Sequence, residues 1–309
     1  MTNDILNTIA FGVEIETVGR TRQTVASAIR AIVGGEVSGG PGRYAVIDAA
    51  GRTWAVVSDG SLCRVAEHLR AEVVTPILYA ADIPQLQEVI RSIRRVGAQC
   101  DETCGIHLHL SHPNQTASTL ANLAKIVYKH EDMIYAALGV VDARKARYCK
   151  PMDAGFIARI QQHAPRTDAE LNCAWYDHRT VTTAGRYDSS RYHILNLNGY
   201  FYRGAVEIRA YAGSLHAGKV KAAILFGLAL YAKALTAKVV PLGVKRTFDP
   251  ASAKYDFRVF LVSGLKMIGA EFATTRQHLL ALMPGNGAWK HGRPTTSRRR
   301  DEEMTACAG

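Results

Sequence analysis

Glu14 and Glu16 stand two residues apart in the segment Phe11 to Thr17 (FGVEIET). Extended, this segment puts Phe11, Val13 and Ile15 on one face and Gly12, Glu14 and Glu16 on the other. Two carboxylates that close repel each other unless they lie solvated at an edge or hold a cation between them. Cys104 to Ser111 (CGIHLHLS) repeats the design, with Ile106, Leu108 and Leu110 pointing one way and His107, His109 and Ser111 the other. A neutral imidazole offers a lone pair and a strand fixes the spacing of two, so the pair suits metal ligation as well as plain solvation. Gly204 to Tyr211 (GAVEIRAY) alternates again, with Val206, Ile208 and Ala210 inward and Glu207, Arg209 and Tyr211 opposite. Ala71 to Pro76 (AEVVTP) adds Glu72 to an otherwise apolar stretch that Pro76 ends. Glu14, Glu16, Glu72, His107 and Glu207 thus form an oxygen-rich donor set with little nitrogen, beside Arg209. That balance favours Mg²⁺ or Mn²⁺ over structural zinc, which prefers thiolates and more imidazole.

These residues need elements to hold them. Period-two alternation predicts strands over residues 10–17, 105–111 and 204–211, with weaker patterns at 69–75 and 191–198. Residues 82–97 read as a helix with Asp82 as N-cap, Pro84 in the first turn, and an apolar stripe from Ile83 to Val96. Residues 116–138, 216–237 and 255–283 also read as helical, the last broken near Gly269. Strands and helices mingle without a βαβ rhythm, so the expected class is α+β, a mainly antiparallel sheet carrying helices. The expected organisation is one catalytic domain over residues 1–290, its C-terminal part helical. Residues 291–309 are polar and charged, and read as a disordered tail.

Composition narrows the function classes. A 48% hydrophobic fraction over 309 residues excludes a disordered chain. No run of eighteen apolar residues and no basic-then-apolar leader appears, so a soluble, cytoplasmic protein with no membrane partner is expected. Six cysteines then read as reduced thiols. Thirty-eight Lys and Arg against 27 Asp and Glu give a net charge of +11, which suits nucleotides, acidic metabolites or nucleic acid, and equally suits solubility. Basic clusters lie at Arg91 to Arg95, Arg144 to Lys150 and Arg298 to Arg300. Gly213 to Lys219 (GSLHAGK) imitates a phosphate-binding loop, but Val220 stands where a Mg²⁺-binding Ser or Thr is required. Cys149, beside basic residues, reads either as a thiol of depressed pKa or as an ordinary one. Trp175 and Tyr176 read as packing residues or as part of a loop over the site.

The order E-x-E, D-G-S (Asp59, Gly60, Ser61), E-V-V-T-P, G-I-H-L-H-L-S, R-Y-x-x-L-N-L (Arg191 to Leu197) and E-I-R resembles the amidoligase family of carboxylate–amine ligases, related in fold to glutamine synthetase and glutamate–cysteine ligase. The resemblance covers residues 9–215. It implies a curved, glutamine synthetase-like antiparallel sheet with helices packed on one face, whose concave face binds two or three divalent ions bridging ATP phosphates. Carried over, Glu14 and Glu16 become first-strand metal ligands, Glu72 serves one ion, and His107 and Glu207 another. His109 and Ser111 fall at nucleotide contacts and Arg209 at a phosphate contact. Arg191 and Asn196 resemble substrate or phosphate contacts, and Asp59 and Ser61 sit where the amine is positioned. One departure stands out: Val65 occupies the place of a further acidic ligand, so either Asp59 or Glu67 substitutes for it or that ion is bound more weakly.

The activity so implied is ATP-dependent amide formation through an acyl phosphate. The metals and Arg209 manage phosphate charge, and Asp59 takes the amine's proton. The acid and the amine are not identified, though the basic clusters lead us to expect that at least one is anionic and larger than a free amino acid, such as a peptide, a nucleotide conjugate or a modified nucleic acid. Two other classes fit parts of the pattern: a metal-dependent hydrolase or nuclease, and a basic nucleic-acid-binding protein, for which charge is the only support.

Overall fold

The computed structural model describes residues 3–293, so the basic run Arg298 to Arg300 and nearly all of the expected tail lie outside the described residues. Eight strands form one sheet: β1 (Ala10–Val18), β2 (Glu36–Gly40), β3 (Arg43–Ile47), β4 (Thr53–Val57), β5 (Arg70–Val74), β6 (Gly105–Ser111), β7 (Leu195–Asn196) and β8 (Val206–Ala212). Their order is β2-β3-β4-β5-β1-β6-β8-β7, and every neighbouring pair runs antiparallel. The helices are α1 (Asn3–Thr8), α2 (Arg22–Val33), α3 (Ile83–Arg95), α4 (Ala117–Leu138), α5 (Asp142–Arg147), α6 (Ala154–His163), α7 (Asp168–Trp175), α8 (Asn198–Arg203), α9 (Ala217–Thr236), α10 (Ala253–Val259) and α11 (Ala273–Leu280). The class is α+β, as the sequence suggests.

Local chemistry starts and stops these helices. Thr21 and Thr116 cap α2 and α4 by accepting from Thr24 N and Thr119 N. Gly139, left-handed at φ 63°, closes α4. Asp82 holds the N-cap position of α3, but its carboxylate serves Tyr79 N and Arg52 instead of the helix. The segment 255–283 divides earlier than expected. A π turn, Phe260–Gly264, continues α10, and the chain has left the helix well before Gly269.

The apolar face of the sheet is covered by α2 on β2 to β5, by α9 on β6 and by α4 on β8, while α3 bridges α2 and α9. Phe11, Val13, Ile15, Val73, Ile106, Leu108, Leu110, Val206 and Ile208 fill this layer and are nearly inaccessible. Helix α9 comes so close that a Cβ on Gly227 would lie 2.2 Å from Leu108 Cδ2.

One strand departs from strict alternation. Leu108 faces Ile208 but Ile106 faces Tyr211, so Arg209 and Ala210 share the space opposite His107. This bulge turns Tyr211 to the helix-covered face, its hydroxyl 3.3 Å from where a Gly227 Cβ would stand. The expected grouping of Tyr211 with Glu207 and Arg209 is therefore wrong, because one extra residue reverses the phase of everything after it.

Candidate active site

The polar face of the four central strands, β5-β1-β6-β8, collects the acids and imidazoles. Residues directly opposite in an antiparallel pair share a face, and the register sets Glu16 against Glu72, Glu14 against His107, and His109 against Glu207. Asn196 of β7 lies opposite Glu207 and donates to its Oε2 at 2.6 Å. His107 Nδ1 is 3.3 Å from Glu14 Oε2 and 3.6 Å from Glu207 Oε1, and His107 Nε2 is 3.8 Å from Glu16 Oε1. His109 Nε2 is 3.1 Å from Glu14 Oε1. Arg209 donates through Nη1 to Glu207 and through Nε to Tyr148 O at 3.2 Å.

Three sets of these side chains bring a ligand atom each to within 4.8 Å of one another: Glu14 with His109 and Glu207, Glu14 with Glu72 and His107, and Glu16 with Asp59 and Glu72. Asp59 reaches the last set from a turn in which its Oδ1 accepts Ser61 N at 2.6 Å. Glu67 goes elsewhere, pairing at 2.8 Å with the buried guanidinium of Arg22 while its own side chain stays 61% exposed. Val65 packs in a small apolar cluster with Val18, Leu62 and Cys104. The acid that the loop brings to the sheet is thus Asp59.

The electrostatics divide this row of acids in two. Burial raises the pKa of Glu207, but Arg209, His109 and His107 outweigh it and hold the group down at about 2. Glu14 likewise sits well below the usual range, because its neighbours His109 and His107 overcome desolvation. At the other end burial raises Glu16, and burial together with the charges of Glu14, Asp59, Glu16 and Glu207 pushes Glu72 up to about 9. The imidazole and guanidinium end is balanced within the protein, whereas at the Glu16–Asp59–Glu72 end the nearby charges of His107 and Arg144 do not offset burial and mutual repulsion. A divalent cation bound by oxygen ligands fits that deficit, and the donors present are those a hard cation takes.

A cavity of about 480 Å³ opens over the cluster. Its walls come from α5, from α8, and from the segment Arg186 to Tyr192, which contribute Arg144, Tyr148, Arg186, Tyr187, Arg191, Tyr192, Tyr202 and Arg203. Asp59, Asn196 and Arg191 line it together with all five expected ligands. His109 touches Arg203 Nη2 at 2.7 Å through the ring at its edge. Ser111 lies two residues further along β6, opposite Ala10, and is outside the cavity lining. Arg203 has no mark in the sequence, and Arg144 figures there only as the first member of the basic cluster Arg144 to Lys150.

Other readings are corrected. Cys149 is fully buried and burial raises its thiol pKa, which removes the depressed-pKa alternative. Trp175 and Tyr176 are buried behind the cavity: Trp175 donates to Ser190 Oγ at 3.0 Å, and the Tyr176 hydroxyl donates to Asn198, a wall residue. Arg91 and Arg95 pair with Glu88 on exposed α3 and do not approach the cavity. Lys219 is exposed and outside it too, and Gly213 is explained by packing, since a Cβ there would lie 2.4 Å from Cys104 Cβ and 2.9 Å from its carbonyl. Gly213→Ala should therefore destabilise the protein by about 1–3 kcal/mol in urea unfolding, with Mg-ATP affinity of the folded protein unmoved.

A family model described as "putative amidoligase enzyme" matches residues 7–231. No curated protein matches the chain. Among solved structures, a bifunctional glutathione synthetase from Pasteurella multocida superposes with a TM-score of 0.42 at 11% identity, covering 91% of this chain and 48% of that one. The chain spans about half the length of that protein. No helix among the described residues is long and apolar enough to cross a membrane.

Proposed function

The chain belongs to the amidoligase family, and from that premise we propose that it joins a carboxylate to an amine at the expense of ATP, through an acyl phosphate. The observation that carries this reading is the under-compensated acidic row beside a buried arginine, inside a cavity large enough for substrates. Mg²⁺ or Mn²⁺ held by Glu14, Glu16, Glu72, His107, Glu207 and Asp59 would neutralise the terminal phosphates. His109 and Arg203 stand at one end of this row, where the nucleotide is assigned. Arg209, fixed by Glu207 and Tyr148, is placed to donate to the phosphoryl group in transfer.

A carboxylate oxygen of the acid attacks the γ-phosphorus, the bond to the β–γ bridging oxygen breaks, and ADP leaves. The amine nitrogen then attacks the acyl carbon, inorganic phosphate departs with the activated oxygen, and the nitrogen loses a proton to a carboxylate. Incubation with Mg-ATP and pooled acids, peptides and amines, reading ADP release together with new product masses, tests the proposal. Cleavage of a pooled compound without ATP consumption would point to a hydrolase instead.

Asp59 carries a separate expectation. Because its carboxylate groups with Glu16 and Glu72, Asp59→Asn should raise the Mg²⁺ concentration giving half-maximal rate by about tenfold, with a smaller fall in kcat at saturating metal. If kcat instead collapses while the metal requirement stays put, Asp59 is the proton acceptor and not a ligand.

A further inference from the structure

Five arginines line the cavity, and they differ in how their charge is met. Arg209 pairs with Glu207, and Arg203 lies 3.6 Å from Glu14. Arg144, Arg186 and Arg191 have no carboxylate within ion-pair distance among the described residues. Arg144 is 5% exposed; its Nη1 leans on the carbonyls of Thr103 and Cys104 at 3.3 and 3.4 Å, while its Nε and Nη2 have no hydrogen-bond partner. Arg191 shows the same trait at Nε, and its guanidinium rests on the rings of Tyr187 and Tyr192. A guanidinium cannot shed its proton, so a buried one with idle donors needs an anion from elsewhere.

The acidic row does not meet that need directly: the Arg144 charge acts on Glu16, but no carboxylate of the row comes within ion-pair distance of it. Cations bound there commit the negative charge of Glu16, Glu72 and Asp59, which leaves the arginines more in excess than before. Position sets Arg144 apart from the His109 and Arg203 end but not from the metal row, since Gly105 N donates to Glu16 Oε2 at 2.5 Å; a nucleotide phosphate there is the rival anion that the Mg-ADP arm of the test excludes. Arg144 crosses the backbone at Gly105, where a Cβ would fall 1.9 Å from its Nη2, and Gly105 is four residues along β6 from His109. At about 3.3 Å per residue that is roughly 13 Å from the His109 and Arg203 end.

We propose that Arg144 seats an unreacting oxyanion of the co-substrate, a carboxylate carried by either the acid or the amine, at the end of the cavity opposite His109. This rests on the ligase reading for which end takes the nucleotide. The substrate class that follows is a dicarboxylic acid or an amine bearing a carboxylate.

The test uses two matched pairs that differ by one carboxylate, butyrate against glutarate and propylamine against 4-aminobutyrate, titrated calorimetrically into the full chain with and without Mg-ADP at constant ionic strength. In one pair the carboxylate-bearing member should bind at least tenfold more tightly; the glutarate pair would assign the anion to the acid, the aminobutyrate pair to the amine. Arg144→Gln should reduce that preference to within twofold while Mg-ADP affinity stays within twofold of wild type. Gly105→Ala should do the same while keeping the arginine, because its methyl occupies the place of Nη2; it decides the matter if Arg144→Gln does not fold. Equal binding within both pairs, a preference that survives in the folded variants, or a matching loss of Mg-ADP affinity would overturn the proposal. Failure of the wild type to bind Mg-ADP would sink the ligase reading instead, and the titrations without nucleotide would still decide whether Arg144 seats an anion.

Discussion

Glu207→Gln should lower ATP turnover by about a thousandfold or more and leave a folded protein. Glu207 is 2% exposed and meets Arg209, His107 and Asn196 at once, so on the proposed reading it would join the metal side of the site to the phosphoryl side. Gln keeps one oxygen that can accept from Arg209, but its amide nitrogen then faces Asn196 Nδ2, two donors together. Turning Asn196 over would cost the bond its Oδ1 accepts from Gly199 N at 3.3 Å. The structural penalty is therefore about one unsatisfied buried group, about 1–3 kcal/mol, partly offset by removing one charge from a crowded acidic row. The catalytic penalty is larger, because an amide oxygen carries no full charge for a cation and no longer fixes the charged fork of Arg209. Far-UV circular dichroism and a melting curve check the fold, and coupled ADP release checks the rate. A Gln variant that turns over ATP like the wild type would show that this carboxylate is only structural.

The central strands were legible because each carries a polar–apolar alternation that survives burial of one face: β1, β5, β6 and β8 appear close to the expected limits. Strands β2 to β4 were not read. β2 ends in two glycines, and β4 is a nearly unbroken apolar run, so neither displays a period. The bulge in β8 was invisible for a physical reason. Its sequence alternates without fault, and only the pairing with β6 shows that Arg209 and Ala210 share one partner position. The clustering of these acids and imidazoles on one face was legible as far as strand faces determine it. Choosing between Asp59 and Glu67 was not, because both sit on the connection before β5, and the outcome depends on Arg22 drawing Glu67 away. Arg144 was hidden by composition: among Arg144, Lys145 and Arg147 nothing in sequence marks the one that turns inward.

Arg209→Lys should depress phosphoryl transfer by about 10²–10³-fold while weakening Mg-ATP binding by less than tenfold, and the wild-type reaction should release ADP and phosphate, not AMP and pyrophosphate. The guanidinium is held at 4% exposure by three contacts: Glu207 on Nη1, the Tyr148 carbonyl on Nε, and the Tyr192 ring at 5.8 Å. Two sides of the planar fork are thereby fixed, and the Nη2 donors are left without an acceptor among the described residues, fixed in direction before a phosphoryl group arrives. A lysine ammonium in the same place can answer Glu207 or a phosphoryl oxygen, but it cannot keep the Glu207 and Tyr148 contacts while aiming a further donor in a fixed plane. The loss should therefore appear where charge and geometry on the transferring group change most, in kcat more than in affinity. The products report the same geometry. An acid that attacks the α-phosphorus needs its stabilising cations there, whereas a row of carboxylates holding divalent ions with Arg209 beside it would grip the terminal phosphates. Equal losses in binding and rate would mean that Arg209 only holds the nucleotide, and stoichiometric AMP among the products would exclude the acyl-phosphate route.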